Sequence, residues 1–343
     1  MNVSTEPECP TTLEALGWSS FFGDQIEPLE AGLLPVRISA IHRARLSAIS
    51  QGGQVALKLP VHVSTRDFAV GDWVLADPRT DLFNRRLTRK SVVARRFNGA
   101  KVQFAAANID VLFIVTSCNA DFSVARLERY LTLAIETGAS PVVVLTKADT
   151  VEDPGSYLRR AEALQRRVPV VTLDCRSKDV RASLERWCGL GQTAALVGSS
   201  GVGKSTLVNS LIDPLLDQLQ QTGAVRSHDD KGRHTTTSRS LHAVAGGGWI
   251  IDTPGMRSLQ VSGAAFGLES LFAEITELGP FCRYGNCSHT HEPGCAVLTA
   301  VREGKLDPAR VARWRKLVAE NNQAPGPDAS NPSRAAGKWR NRR

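Results

Sequence analysis

The stretch Gly198-Ser199-Ser200-Gly201-Val202-Gly203-Lys204-Ser205 has the spacing G-x-x-x-x-G-K-[ST]. Glycines so placed let backbone N–H groups turn inward around phosphates, and a helix opening at the lysine adds its positive dipole end. Lys204 would reach the β- and γ-phosphates, Ser205 would ligate Mg²⁺, and Thr206 follows in the first turn. A second stretch, Thr146-Lys147-Ala148-Asp149, fits the pattern [NT]-K-x-D. A carboxylate such as Asp149 accepts from both N1–H and the exocyclic amine of guanine. Adenine has no such donor pair and would leave the acceptor unpaired. The aliphatic stem of Lys147 can cover the face of the base. A third stretch, Asp252-Thr253-Pro254-Gly255, reads D-x-x-G after an apolar run. Asp252 would hold Mg²⁺ through water, and the Gly255 N–H would sense a γ-phosphate. Between the phosphate loop and the D-x-x-G motif lies Lys231-Gly232-Arg233-His234-Thr235-Thr236-Thr237. Thr236 is the first choice there for a magnesium-sensing hydroxyl and Thr235 the second. Met256 follows the D-x-x-G motif, and a thioether cannot orient water. His234 is the nearest side chain that can, which makes it the candidate catalytic residue.

A separate chemistry gathers downstream. Cys282, Cys287, His289 and Cys295 put three thiolates and one imidazole within fourteen residues. Four such ligands make a closed tetrahedral zinc site, structural rather than catalytic. His291 is a competing ligand. A short loop-rich stretch gains folding energy from such a metal. The other four of the seven cysteines are scattered, so the set reads as one metal site plus free thiols, not a disulfide framework.

These residues need elements to carry them. Apolar runs without alternation at 109–115, 142–145, 168–173, 194–197 and 249–251 read as buried parallel strands. Helical patterns at 123–137 and 157–167 lie between them, so this part is an α/β layer structure. Short period-two runs at 36–41, 54–59 and 72–76, punctuated by glycine turns, predict a small antiparallel barrel of OB type. After 255 the text turns helical at 268–278 and 308–321, on either side of the Cys/His cluster. The expected architecture is a multidomain α/β chain. It has a flexible acidic leader (1–33), an OB-like barrel (34–107) and a permuted nucleotide domain (108–262). A helical zinc domain (263–322) and a disordered basic tail (323–343) complete it. The order of the motifs is itself informative. In ordinary small GTPases the phosphate loop precedes the D-x-x-G and guanine motifs. Here the guanine motif comes first and D-x-x-G last, a circular permutation. The chain leaving D-x-x-G therefore runs straight into the C-terminal region, and γ-phosphate-dependent movement there is covalently coupled to it.

Across 343 residues, 42% hydrophobic and 22% charged content excludes wholesale disorder, and no apolar run approaches membrane-spanning length. The acidic N-terminus lacks the pattern of a secretion signal, so a cytoplasmic location is expected. The net charge of +8 is unevenly spread. Residues 1–36 carry −6, 37–107 carry +9, 108–262 carry +1 and 263–343 carry +4. Two basic modules bracket a near-neutral centre, which points to a polyanion gripped from two sides.

Together the motifs resemble the circularly permuted GTPases of small ribosomal subunit biogenesis, the RsgA (YjeQ-like) family. The resemblance spans about residues 34–320. It rests on Ala106-Ala107-Asn108-Ile109-Asp110, Arg126-Leu127-Glu128-Arg129-Tyr130-Leu131, the three nucleotide motifs, Gly232 to Thr237 and the Cys₃His set. It implies GTP hydrolysis with Mg²⁺, one structural Zn²⁺ and late-stage action on the 30S subunit and its rRNA, which would stimulate turnover. It puts the family's catalytic-histidine position on His234, and a monomer is expected. The base-contacting loop, S-A-K-like in many GTPases, reads Asp174-Cys175-Arg176 here, and the Cys175 backbone would serve in its place. Two rivals stand beside this reading. One is an RNA-binding module whose affinity the nucleotide merely regulates. The other is a permuted GTPase serving the large subunit.

Overall fold

The computed structural model describes residues 12–42, 45–97, 101–165, 167–213, 239–252 and 263–323, with the backbone alone at 95–97, 101 and 102. The N-terminal strands are β1 (Leu34–Ile41), β2 (Leu46–Ser50), β3 (Gly53–Leu57), β4 (Trp73–Ala76), β5 (Phe83–Arg86), β6 (Val92–Phe97) and β7 (Lys101–Ala107). β1 pairs antiparallel with β2 and β4, β2 with β3, and β4 with β5. A parallel bridge between Lys58 and Leu82 joins the end of β3 to the start of β5. The alternating residues Val36, Ile38, Leu46, Ala48, Val74 and Ala76 point into one apolar cluster, as period-two patterning requires. β6 and β7 form a separate hairpin.

The nucleotide motifs sit on a second set of strands: β8 (Val111–Ser117), β9 (Ser140–Thr146), β10 (Val170–Thr172), β11 (Thr193–Val197), β12 (Ser240–Ala243) and β13 (Trp249–Asp252). Their order is β10-β9-β8-β11-β13-β12, parallel except for β12. Leu112 and Ile114 of β8 face one apolar cluster, and Val111, Phe113 and Val115 face another. Burial on both faces explains why these strands read as unbroken apolar runs. Ala40 of β1 pairs with Ser240 of β12, so the N-terminal strands and the nucleotide sheet share one ladder.

Among the described residues the helices up to β12 are α1 (Ser20–Gly23), α2 (Val124–Thr137), α3 (Pro154–Glu162), α4 (Val180–Leu184) and α5 (Lys204–Leu211). α2 opens on an N-cap at Ser123, whose side chain accepts from the Arg126 N–H, and closes on left-handed Gly138. The C-terminal part consists of α6 (Ala265–Leu271), α7 (Ala273–Thr276), α8 (Ala296–Arg302) and α9 (Pro308–Gln323). α6 and α9 dock on α2. A Cβ at Gly267 would lie 2.2 Å from the Thr132 carbonyl oxygen, so only glycine permits this approach of α6. Glu128 of α2, fully buried, receives Arg313 at 2.6 Å and Arg310 at 3.2 Å from α9. Arg129 and Glu320 form a two-pronged pair at 2.8 and 2.6 Å.

Two expectations change. From residue 12 onward the leader, expected as a flexible segment, packs against the fold. Leu16 and Phe22 are completely buried, and Trp18 meets the Trp73 ring edge-on at 4.8 Å. The Trp249 indole N–H donates to the Ala15 carbonyl oxygen at 2.7 Å, and buried Arg37 reaches the Leu16 carbonyl oxygen at 2.5 Å. Burial of these large apolar side chains outweighs the acidic count that suggested disorder. Residues 1–11, and the tail beyond Gln323, lie outside the described residues. The basic run after residue 84 is also partly turned inward. Arg85 pairs with Glu30 at 2.5 Å. Arg86 donates to the Asp67 carbonyl oxygen. Arg89 pairs with Asp72 at 2.6 Å, and both side chains are almost wholly shielded.

Candidate nucleotide site and metal centre

Parallel strands place their carboxyl ends together, and ligands bind beyond those ends. Ser117 of β8 aligns with Thr146 of β9, and Ile114 of β8 with Val197 of β11. The loops after β8, β9, β10 and β11 therefore emerge side by side. The phosphate loop leaves β11 at Gly198, φ +150°, where a Cβ would lie 2.2 Å from the Val115 carbonyl oxygen. Gly201 and Gly203 also have positive φ, at 77° and 99°. They give the tight reversal that the sequence pattern requires. α5 begins at Lys204, whose ammonium donates to the carbonyl oxygens of Gly198, at 2.8 Å, and Ser199. Ser200, Gly201, Ser205 and Thr206 face solvent, and Val202 is buried beneath them.

The guanine motif meets this loop directly. Thr146 is fully buried, and its hydroxyl lies 2.6 Å from the Val202 carbonyl oxygen and 3.2 Å from that of Thr116. Lys147 adopts a left-handed conformation, φ 56°, which turns the chain out of β9. Ala148 and Asp149 continue into a short 3₁₀ turn, and Asp149 is exposed. Cys175 closes the third side. A Cβ on Gly203 would lie 3.5 Å from the Cys175 sulfur and 3.8 Å from the Thr146 hydroxyl, so the three loops converge there. Burial first, then the charges of Asp174 and Asp149, push the Cys175 thiol up to about 11. It is a neutral packing group at physiological pH, not a nucleophile. Asp252 ends β13, two strands from β8, with Ser240 as its pairing partner. His234, Thr235, Thr236, Gly255 and Met256 lie outside the described residues.

The second cluster forms as its spacing suggests. Ligand atoms of Cys282, Cys287, His289 and Cys295 all lie within 4.8 Å of one another. The Cys282 and Cys295 sulfurs are 3.9 Å apart, and His289 Nδ1 is 3.5 and 3.4 Å from them. Tetrahedral zinc with bonds of about 2.0–2.3 Å needs edges of roughly 3.4–3.8 Å, which Cys282, His289 and Cys295 closely match, with Cys287 within 4.8 Å of them to complete the set. The Ala296 N–H points at the Cys282 sulfur and the Leu298 N–H at the Cys295 sulfur, both at 3.4 Å. Such donors support thiolate charge. His291 stays outside the group, with Nδ1 3.0 Å from the Thr290 hydroxyl. The His289 ring lies 5.5 Å from that of Trp314, which seats the cluster on α9.

Sequence reading gave no role to Glu128 and Arg129, though both lie in a quoted motif. Their partners come from α9, about 190 positions away, and nothing local announces them.

Comparison with known proteins agrees with this geometry. A family profile described as the RsgA GTPase matches residues 86–262. A Mesorhizobium japonicum protein named small ribosomal subunit biogenesis GTPase RsgA is 61% identical over 311 residues, covering 90% of each chain. A Vibrio vulnificus protein, small ribosomal subunit biogenesis GTPase RsgA 2, is 42% identical over 91% of this chain and 88% of its own. Among solved structures, YjeQ from Thermotoga maritima superposes with a TM-score of 0.61 at 23% identity, covering 85% of this chain and 99% of that one. YloQ, described as a circularly permuted GTPase, gives 0.60 at 20% identity, over 86% and 97%.

Proposed function

This chain belongs to the RsgA family of GTPases, and on that footing we propose that it hydrolyses GTP as a late assembly factor of the 30S ribosomal subunit, which stimulates its turnover. The observation that carries the nucleotide reading is the bond from the Thr146 hydroxyl to the Val202 carbonyl oxygen. It joins the base-reading loop to the phosphate-binding loop, so one ligand spans both.

In this mechanism, backbone N–H groups from Gly198 to Lys204 surround the β-phosphate, and the α5 dipole favours its charge. Lys204 exchanges its two loop carbonyls for β- and γ-oxygens. Asp149 accepts from guanine, Lys147 covers the base, and Ala148 and Cys175 present their backbone to it. Ser205 and Thr236 would hold Mg²⁺, with Asp252 assisting through water, and the ion when bound would supply positive charge to the phosphates. His234 orients the attacking water, and Gly255 senses the γ-phosphate.

The flanking regions bind rRNA, and the protein works as a cytoplasmic monomer. An OB-like barrel over 34–107 is supported by the strand pairings and by the parallel β3–β5 bridge. A zinc domain over 263–322 is supported by the ligand distances, and the nucleotide domain takes 108–262 between them. GTP turnover measured alone, with purified 30S and with purified 50S tests the proposal. Stimulation by 30S alone is expected. No stimulation by 30S refutes the assembly role, and stimulation by 50S alone assigns the chain to the other subunit.

A further inference from the structure

Ser210 lies in the last turn of α5, outside all the motifs. Its hydroxyl is 2.9 Å from the Cys175 carbonyl oxygen and 3.0 Å from that of Thr206. It has one proton for two acceptors. Thr206 is the ordinary back-bonding partner within the helix, four residues earlier. Cys175 belongs to the loop that closes beside Asp149 and Gly203. The other end of the same peptide is held as well, because the Arg176 N–H donates to Asp174 Oδ1 at 2.9 Å. A planar peptide gripped at both its C=O and its N–H cannot rotate. The direction in which Cys175 faces the base is then set by α5.

A second grip lies further along the same segment. Arg181 of α4 donates from Nε to the Ser210 carbonyl oxygen at 2.9 Å and from Nη2 to that of Ile212 at 3.0 Å. A guanidinium there answers the unpaired carbonyls at the helix end. Residues 174–181 are thus fastened twice to the helix whose other end begins at the phosphate loop.

We propose that Ser210 is a positioning residue for guanine recognition. Through the Cys175 carbonyl it keeps the base-facing loop in register with the phosphate loop, so that base and phosphates are met at a fixed separation. This rests on the nucleotide site described above.

Ser210→Ala tests it, since alanine keeps the helix intact. Affinities for GDP and ADP are measured by titration calorimetry or displacement on the full chain with Mg²⁺. GDP affinity should fall about fivefold, the worth of one neutral hydrogen bond, with ADP affinity unchanged. The preference for guanine over adenine falls by the same factor, and Ser210→Thr restores it. Equal losses for GDP and ADP would reduce Ser210 to a helix-stabilising residue and overturn the proposal, as would unchanged GDP affinity. A wild-type protein with no guanine preference would overturn the nucleotide reading itself.

Discussion

At the scale of single residues, the nucleotide site is a set of backbone shapes with a few side chains fixed to them. The glycines set the loop, Thr146 ties it to the base motif, and Asp149 stands at the open edge. Asp149→Asn replaces an acceptor oxygen with an amide donor that opposes the guanine amine. GDP affinity should drop by about two orders of magnitude, the cost of losing two charge-assisted bonds. Affinity for the xanthine nucleotide should rise, because its 2-oxo group accepts from the new amide. Calorimetry with both nucleotides checks this, and unchanged GDP binding would remove Asp149 from the site. Residues of this kind were legible in the sequence because phosphate and guanine chemistry demand fixed spacings. Ser210 was not. Its partner is 35 positions away, and a serine in a helix has no signature of its own.

At the scale of elements, α2 is the joint between the nucleotide sheet and the C-terminal helices. Its Glu128 carboxylate is buried between two arginines of α9, and Gly267 lets α6 touch its backbone. A buried carboxylate removed from such a pair leaves two cations facing a neutral group. Since Arg310 and Arg313 retain some solvent contact, Glu128→Gln should cost about 2–3 kcal/mol rather than the full value for an enclosed pair. Amide hydrogen exchange should quicken over 308–323 and stay slow in β8 and β11. Unchanged exchange in α9 would show that the ion pairs do not hold the joint. The strands of the nucleotide sheet were legible because two-sided burial leaves continuous apolar runs. The packed leader and the inward arginines were not. Charge counts record how many ionic groups a segment has, while their direction depends on carboxylates and carbonyls far away, here Glu30, Asp72 and Asp67.

On the scale of the whole molecule, a single apolar cluster runs from Leu16 through Trp73, Ile114 and Trp249 to Leu268 and Trp314. The Cys₃His cluster leans on its far end through Trp314. Removing the metal should therefore lower the thermal midpoint and loosen residues 279–302. GDP affinity should be retained, because none of the nucleotide loops supplies a ligand atom to the cluster. Chelation with verified zinc loss, followed by calorimetry and a GDP titration, measures both, and an unaltered melting curve would count against a structural ion. The bond from Trp249 to Ala15 closes a loop of 234 positions. During synthesis at about 5–20 residues per second, the leader leaves the ribosome before β13 and waits roughly 12–47 s for that strand. Until then Leu16, Trp18 and Phe22 have no completed cavity to enter. The leader is thus made well before the strand that fastens it, so a nascent chain cut short of β13 should leave that apolar segment open to chaperones and proteases.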